Sequence, residues 1–118
     1  MSMRLLVSSL IVFGVAVSGA THARYNKGAS LIESLREWER AERSDPTANL
    51  GRAMAFPHYV MGVSDALEGI VICTPQGVTV RQASAIVAKY INDNPRLWNE
   101  QALGLVSVPL MDAFPCKK

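Results

Sequence analysis

The chain contains two cysteines, Cys73 and Cys116, and they enclose the most regularly patterned half of the sequence. If they are joined, the bond ties the start of one predicted helix to the end of the chain. In the chain-entropy account of disulfides, closing a loop of about 44 residues stabilises the folded state by roughly 4 kcal/mol. A typical domain is stable by only ~5–15 kcal/mol in total, so this contribution is large. The alternative is a pair of unrelated buried thiols.

The first 23 residues have the pattern of a secretory signal peptide. A short positive region ending at Arg4 precedes an uncharged apolar run over residues 5–17, and small residues around Ala20 and Ala23 provide two cleavage positions. The run is shorter than the ~20 residues that a membrane-spanning helix needs. An uncleaved N-terminal anchor is the alternative. We expect cleavage of residues 1–23 and a periplasmic location, where a disulfide persists.

Residues 24–118 are predicted to form a single domain. A chain of about 95 residues is long enough for one modest core and too short for two. The formal net charge of the whole sequence is +2, and acidic and basic residues are interleaved along it. A nucleic-acid partner is therefore not expected.

Apolar residues recur at helical spacing in segments separated by short loops, which predicts an all-α, up-and-down bundle of four or five helices. The first helix is predicted over residues 30–43. It opens with a capping box, in which the Ser30 hydroxyl and the Glu33 carboxylate each satisfy a free backbone amide. Its alternating charges indicate a solvent-facing side rather than a dedicated binding surface.

A second helix is predicted over residues 46–69, with Asp45 as its cap and Pro46 in its first turn. Pro57 removes one backbone hydrogen bond from its interior, so we expect a kink or a break nearby. Gly62 allows another helix to approach closely. The side predicted to face the core carries Tyr59, Val63, Ala66 and Ile70.

Thr79 and Gln82 form a second capping box, which predicts that a third helix begins at Val80. The third helix stops at residues 92–95. Pro95 can open a final helix that runs from about residue 96 or 99 to residue 113.

The sequence lacks a pattern of residues that supports catalysis or metal binding. His58 is the single histidine in residues 24–118, and a lone histidine beside a proline is more often packed or solvent-facing than catalytic. Asp65 and Glu68 share a helix face, and a cap or a surface pair explains them. The set of His, Cys, Asp and Glu lacks the spacing of a metal site. We therefore predict a binding protein without enzymatic activity and without a cofactor.

Several short motifs follow one another along residues 31–116. They are Tyr59-Val60-Met61-Gly62-Val63-Ser64-Asp65-Ala66-Leu67, Ile72-Cys73-Thr74-Pro75-Gln76-Gly77-Val78-Thr79, Lys89-Tyr90-Ile91, Asn94-Pro95 and Ala113-Phe114-Pro115-Cys116. As an ordered set they resemble the Rap/Tai family. That family comprises small periplasmic immunity proteins that protect bacteria from peptidoglycan amidase toxins delivered by type VI secretion.

The resemblance implies an all-helical, often dimeric protein that binds a toxic amidase and occludes its active-site groove. It also implies that Cys73 and Cys116 form a disulfide. This chain lacks the further cysteine pair of many relatives, and Trp38 and Phe56 stand near those positions, so we expect packing to replace that bond. The resemblance assigns framework roles to Gly62, Asp65, Pro75, Gly77, Tyr90 and Pro115.

Two loops supply the candidate residues for binding the amidase, because loops on a rigid helical framework often carry binding. The candidates are Thr74 and Gln76 near the first cysteine, and Asn94 and Trp98 in the connection before the last helix. Trp98 is the leading candidate, and a core tryptophan is the alternative role.

The expected partners are the effector amidase and a second copy of the chain, with no nucleic acid and no membrane after signal cleavage. A small periplasmic chaperone or stress protein is the alternative function. Such a protein is expected to unfold or dissociate at low pH and to suppress aggregation of unrelated proteins. An envelope-scaffolding domain without a toxin partner is a third possibility.

Overall fold

The computed structural model describes residues 27–117. In this part of the chain four α-helices follow one another, with a short 3₁₀ turn before the last. The helices are α1 (Gly28–Glu42), α2 (Leu50–Leu67), α3 (Val80–Asp93) and α4 (Ala102–Ala113), and the 3₁₀ turn covers Pro95–Leu97. β pairing within residues 27–117 is limited to isolated bridges, so the predicted all-α bundle is confirmed. The predicted signal peptide lies outside the described residues.

Side chains from all four helices form one core. Helix α2 packs against each of the other three helices, and so does α4. Trp38 packs on the fully buried Phe56 with 5.3 Å between the ring centroids, so the two aromatics expected to stand in for a missing cysteine bond are in contact. The other large side chains that are fully buried include Leu35, Val60, Ile72, Val87, Ile91, Leu105, Val106 and Leu110.

Helix α1 begins at Gly28, and the predicted capping box between Ser30 and Glu33 is not formed. The Gly28 N–H instead donates to the Glu100 carbonyl oxygen at 2.9 Å. That oxygen belongs to the loop before α4, so a tertiary hydrogen bond satisfies one of the free amides of the first turn. The prediction was wrong because it considered only caps that are close in sequence.

Helix α2 begins at Leu50 rather than at residue 46, and the predicted cap at Asp45 was wrong. Asn49 caps the helix, since its side chain accepts a hydrogen bond from the Arg52 N–H at 3.0 Å. Asp45 instead accepts hydrogen bonds from the N–H and the hydroxyl of Thr47, at 2.8 Å and 2.7 Å. The carboxylate therefore stabilises the turn between α1 and α2.

Helix α2 is continuous across Pro57, so of the kink or break predicted there, the break does not occur. Pro57 is buried, and its ring contributes to the core side of the helix. Gly62 is exposed, and a Cβ built there has no other described atom within 4 Å. The close helix approach predicted at Gly62 is therefore absent from the described fold.

The side of α2 predicted to face the core is buried only in part. Val63 is buried and Tyr59 is half-buried, but Ala66 is exposed and the Ile70 side chain is 70% exposed. The prediction for Ile70 was wrong because the helix ends before it, and Gly69 turns the chain with a φ of +76°. Ile70 thus projects from the turn after α2.

Helix α3 begins at Val80, as predicted. The Thr79 hydroxyl accepts a hydrogen bond from the Gln82 N–H at 3.1 Å, and the Gln82 side chain accepts one from the Thr79 N–H at 2.8 Å. Pro95 opens only the 3₁₀ turn, and α4 begins later than predicted, at Ala102. The intervening residues form the turn that supplies the carbonyl oxygen for the start of α1.

Candidate functional site

The Cys73–Thr79 loop joins α2 to α3, and its first residue is anchored to the end of the chain. Cys73 and Cys116 form a disulfide with their Cα atoms 4.9 Å apart, as the resemblance implied. The Cys73 N–H also donates to the Phe114 carbonyl oxygen at 2.8 Å. The preceding Ile72 is fully buried. Covalent, hydrogen-bonding and apolar contacts therefore fix the same end of the loop.

Thr74, one of the predicted contact residues, holds the loop to the end of α2. Its N–H and its hydroxyl both donate to the carboxylate of Glu68, each at 2.9 Å. Glu68 is the C-cap residue of α2. Because both donors of Thr74 already have partners within the chain, its observed contacts are structural.

The tip of the loop is a turn over residues 75–78. The Val78 N–H lies 3.4 Å from the Pro75 carbonyl oxygen, and Gly77 has a φ of +89°. Position i+2 of a type II turn requires such a φ, which favours glycine there. Gln76 is exposed at the tip. Of the predicted contact residues, Gln76 is the one most open to a partner.

Asn94 and Trp98 close the opposite end of α3. The Asn94 side-chain amide donates to the Tyr90 carbonyl oxygen at 2.8 Å, and the Trp98 indole N–H donates to the Ile91 carbonyl oxygen at 2.8 Å. The Trp98 ring is half-buried, and the Arg36 guanidinium lies 5.0 Å from its centre. The indole therefore packs within the fold, which fits the alternative prediction that Trp98 is a core residue.

The two candidate loops do not form one compact cluster. Helix α3 has 14 residues. At 1.5 Å per residue, it separates the loops by about 20 Å. Thr74 and Gln76 lie at its N-terminal end, whereas Asn94 and Trp98 lie at its C-terminal end.

A groove with a volume of about 270 Å³ lies between α2 and the Cys73–Thr79 loop. Its apolar wall includes Met61 and Val80, whose side chains are 38% and 42% exposed. Asp65 and Glu68 also line it. Neither Met61 nor Val80 was predicted to lie at the surface, because both are apolar residues within predicted helices. The groove offers a partner a concave surface beside the loop.

The described residues contain no group of three His, Cys, Asp or Glu side chains placed to hold a metal ion. His58 is exposed, and its Nδ1 lies 2.7 Å from the Met54 carbonyl oxygen. The only described cysteines are used in the disulfide. None of the four helices combines the length and the hydrophobicity that a membrane crossing requires.

Together these features define a small, disulfide-linked helical protein that presents a preformed loop. The chain belongs to the family of Rap1a immunity proteins, whose family model matches residues 27–116. Comparison with curated proteins and with solved structures gives no match. Membership implies a role in immunity to a type VI effector and the binding of a cognate effector, and immunity proteins are typically not enzymes. The disulfide indicates an oxidising compartment.

Proposed function

We propose that this protein, after removal of residues 1–23, acts in the periplasm as an immunity protein against a type VI peptidoglycan amidase. In this proposal it binds the effector and blocks the active-site groove with the Cys73–Thr79 loop. The fixed geometry of that loop is the observation that supports the proposal most strongly. A loop that is ordered before binding loses little conformational entropy in the complex.

The chemistry of the loop tip supports an amidase as the target. Gln76 is exposed and presents a carboxamide, which resembles the amide bond that an amidase cleaves. A side chain of this kind can enter the substrate groove and exclude the substrate by steric blocking. Pro75 fixes its own φ on one side of Gln76, and Gly77 adopts the positive φ that turns the chain on the other, so Gln76 lies at the tip of the turn.

The loop alone is smaller than a stable protein interface, which covers about 800 Å² on each partner. The adjacent groove supplies further contact area. Met61 and Val80 provide apolar contacts, and apolar side chains in well-packed pockets carry much of the binding energy in such interfaces. Thr74, Asn94 and Trp98 serve in this proposal to position the two loops through their internal hydrogen bonds.

The experiment that tests the proposal is a titration of the oxidised chain from residue 24 to residue 118 against peptidoglycan amidase effectors. Binding is measured by calorimetry, and inhibition is measured as loss of peptidoglycan cleavage. We expect nanomolar inhibitory binding to one effector. Gln76→Glu is expected to weaken binding by at least about tenfold, since it puts a charge at the centre of the contact.

Gln101→Glu is the matched control, because Gln101 is also exposed but lies at the start of α4. It is expected to bind like the parent chain. Equal binding by the Gln76 and Gln101 variants would show that the loop is not the contact. Failure to bind any amidase, together with suppression of protein aggregation at acid pH, would instead support the chaperone function.

A homodimer, which the family resemblance implies, is part of the same proposal. A homodimer presents two copies of the Cys73–Thr79 loop and can engage two effector molecules. Its existence is tested separately from inhibition, by sedimentation equilibrium of the oxidised chain at increasing concentration.

A further inference from the structure

Methionine lies only at the surface of the described fold. Met54, Met61 and Met111 are 51%, 38% and 40% exposed, and the buried core of residues 27–117 contains no methionine. Methionine is otherwise a common filler of irregular gaps in apolar cores. Packing within the chain therefore does not explain where these residues lie.

Two of these methionines lie on the same side of α2 as the single described histidine. His58 is exposed, and it follows Met54 by four residues and precedes Met61 by three. Residues three or four apart in a helix are neighbours on its surface, with about 5–6 Å between their Cβ atoms. The solvent-facing side of α2 thus places thioether groups one turn from an imidazole ring.

The imidazole of His58 is held by the backbone of its own helix. Its Nδ1 lies 2.7 Å from the Met54 carbonyl oxygen, which can only accept a hydrogen bond, so Nδ1 carries the proton. This is the only hydrogen bond of the ring within residues 27–117, and in the neutral ring Nε2 therefore keeps a free lone pair. Histidines that bind metals are usually oriented by such a hydrogen bond from the other ring nitrogen.

Of the two neighbouring methionines, Met61 is the one placed to reach the Nε2 atom of His58. Long side chains in a helix lean back towards its N-terminus. Met61 lies on the C-terminal side of His58, so this rule directs its thioether over the imidazole. The same rule directs the Met54 side chain away from the imidazole, towards the preceding turn. Nε2 of His58 and Sδ of Met61 are therefore the two atoms that can hold one ion between them.

The chemistry of these two ligands selects a soft cation. Thioether ligands select Cu(I), and imidazole also suits copper, whereas carboxylate and carbonyl ligands suit Mg²⁺, Ca²⁺ and Mn²⁺. The first acidic residue in α2 is Asp65, four residues beyond Met61. The metal-site prediction from the sequence considered His, Cys, Asp and Glu, and methionine lies outside that set.

We propose that His58 and Met61 form a binding site for Cu(I), in which Nε2 and Sδ each donate one lone pair to the ion. Binding releases no proton, because Nε2 carries none in the tautomer fixed by the Met54 carbonyl group. The disulfide leaves no free cysteine in the described chain to compete for the ion. Met61 also lines the groove beside the Cys73–Thr79 loop, so the bound ion lies at the edge of that groove.

Ag(I) is the first probe, because it is a soft monovalent cation that needs no reductant and so leaves the disulfide intact. The oxidised chain from residue 24 to residue 118 is titrated with silver nitrate in a chloride-free buffer, and binding is measured by calorimetry. We expect one ion per chain with a micromolar dissociation constant. In NMR spectra, the ε-methyl signal of Met61 is expected to shift, and that of Met111, which lines pockets without a histidine, is expected to stay in place. Equal shifts of the two signals overturn the proposal.

Two variants remove one ligand each. His58→Gln replaces the imidazole with an amide, and Met61→Leu replaces the thioether with an apolar side chain of similar volume. Each is expected to raise the Ag(I) dissociation constant by at least about tenfold, a loss typical of damaged metal sites. Both positions are exposed, so both variants are expected to keep the helical fold, which circular dichroism checks. If both variants bind as tightly as the parent chain, the binding is adventitious only and the proposal is overturned.

Met54→Leu and Met111→Leu are the matched controls, because each removes one exposed thioether and leaves His58 and Met61 in place. Met54→Leu also keeps the backbone carbonyl group that orients the imidazole. Both controls are expected to bind Ag(I) like the parent chain. A loss of affinity in Met54→Leu as large as that in Met61→Leu overturns the assignment of the two ligands.

Cu(I) is tested in a second titration, without oxygen and in competition with a dye that binds Cu(I). The parent chain and the two controls are expected to bind Cu(I) more tightly than His58→Gln and Met61→Leu. Mass spectrometry afterwards checks that Cys73 and Cys116 are still joined, because free thiolates bind Cu(I) themselves. A chain that binds Ag(I) but not Cu(I) overturns the assignment of the metal.

This inference does not rest on the proposed function, because the titrations contain no effector. A chain that inhibits an amidase and binds neither ion overturns the metal site and leaves the inhibitory role intact. A chain that binds Cu(I) through His58 and Met61 and inhibits no amidase overturns the inhibitory role and leaves the metal site intact.

Discussion

The N–H and the hydroxyl of Thr74 both donate to the carboxylate of Glu68, and each donor lies 2.9 Å from its oxygen. One side chain at the end of α2 thus accepts two hydrogen bonds from the loop that follows. Hydrogen bonds to an ionised acceptor are stronger than those between neutral groups. The conformation of the Cys73–Thr79 loop therefore depends on a residue outside the loop.

Replacing Glu68 with alanine should loosen the loop while leaving the helical core folded. We expect the free energy of unfolding to fall by about 1 kcal/mol, the typical net contribution of surface hydrogen bonds. The Thr74 amide should exchange its hydrogen faster, as measured by NMR. Glu33→Ala is the control, because among the described residues that exposed carboxylate pairs with Arg52 alone, at 3.8 Å. Unchanged protection of the Thr74 amide would show that the Glu68 carboxylate does not order the loop.

The disulfide should supply a large part of the stability of the domain. Removing it with Cys73→Ser and Cys116→Ser together opens the crosslink between residues 43 positions apart. The chain-entropy account predicts a loss of about 4 kcal/mol in the free energy of unfolding, measured by urea titration. A reductant should shift the unfolding midpoint of the parent chain and not that of the double variant. Coincident midpoints for the two oxidised chains would contradict the prediction.

Gly28 should not tolerate a side chain. A Cβ built there lies 2.5 Å from the Glu100 carbonyl oxygen and closer still to that of Trp98. Both are backbone atoms, so relief requires movement of the loop before α4. We expect Gly28→Ala to lower the free energy of unfolding by at least about 2 kcal/mol, within the range seen for overpacked sites. The measurement is urea unfolding followed by circular dichroism.

Gly62→Ala is the matched control for Gly28, since its Cβ has open space. Alanine in the interior of a helix is favoured over glycine by about 1 kcal/mol, so the control should be more stable than the parent chain. Equal destabilisation by both substitutions would show that the contacts around Gly28 are not the cause.

Gly28 also illustrates what the sequence could not predict. Residues 25–28 have the composition of a loose lead-in, and the reason for a glycine lies in the Glu100 and Trp98 carbonyl groups, which are distant in sequence. The capping box of Thr79 and Gln82 was predicted correctly because both partners are local. Where local signals compete with a tertiary contact, as at the start of α1, the tertiary contact decides.

The candidate site, like the helix ends, was predictable only where the signals are local in sequence. The loop beside Cys73 was identified from its turn composition, and Gln76 is exposed as a contact residue must be. Asn94 and Trp98 bond to carbonyl oxygens of the last turn of α3, which composition does not reveal. The exposed apolar side of α4, which includes Met111, was not predicted as a contact surface, because apolar residues give no positive sign of exposure in a sequence.

The turn between α1 and α2 should make stability depend on pH in the acid range. Hydrogen bonds from the Thr47 hydroxyl and N–H, and then from Arg40, lower the pKa of Asp45 from 3.8 to about 2. A lowered pKa means that the folded state prefers the ionised carboxylate. The stabilisation is therefore complete above the unfolded pKa, near pH 4, and is lost as the pH falls through about 2.

Asp45→Asn should remove this dependence. The difference in the free energy of unfolding between the parent chain and Asp45→Asn is expected to be constant above about pH 4 and to shrink towards about pH 2, as measured by urea titration at each pH. Thr47→Val removes the largest cause of the shift and should narrow the pH range over which the loss occurs. A difference in the free energy of unfolding that stays constant down to pH 2 would show that folding does not lower the pKa of Asp45. Since the effect is confined to pH values below about 4, unfolding at milder acidity must have another cause.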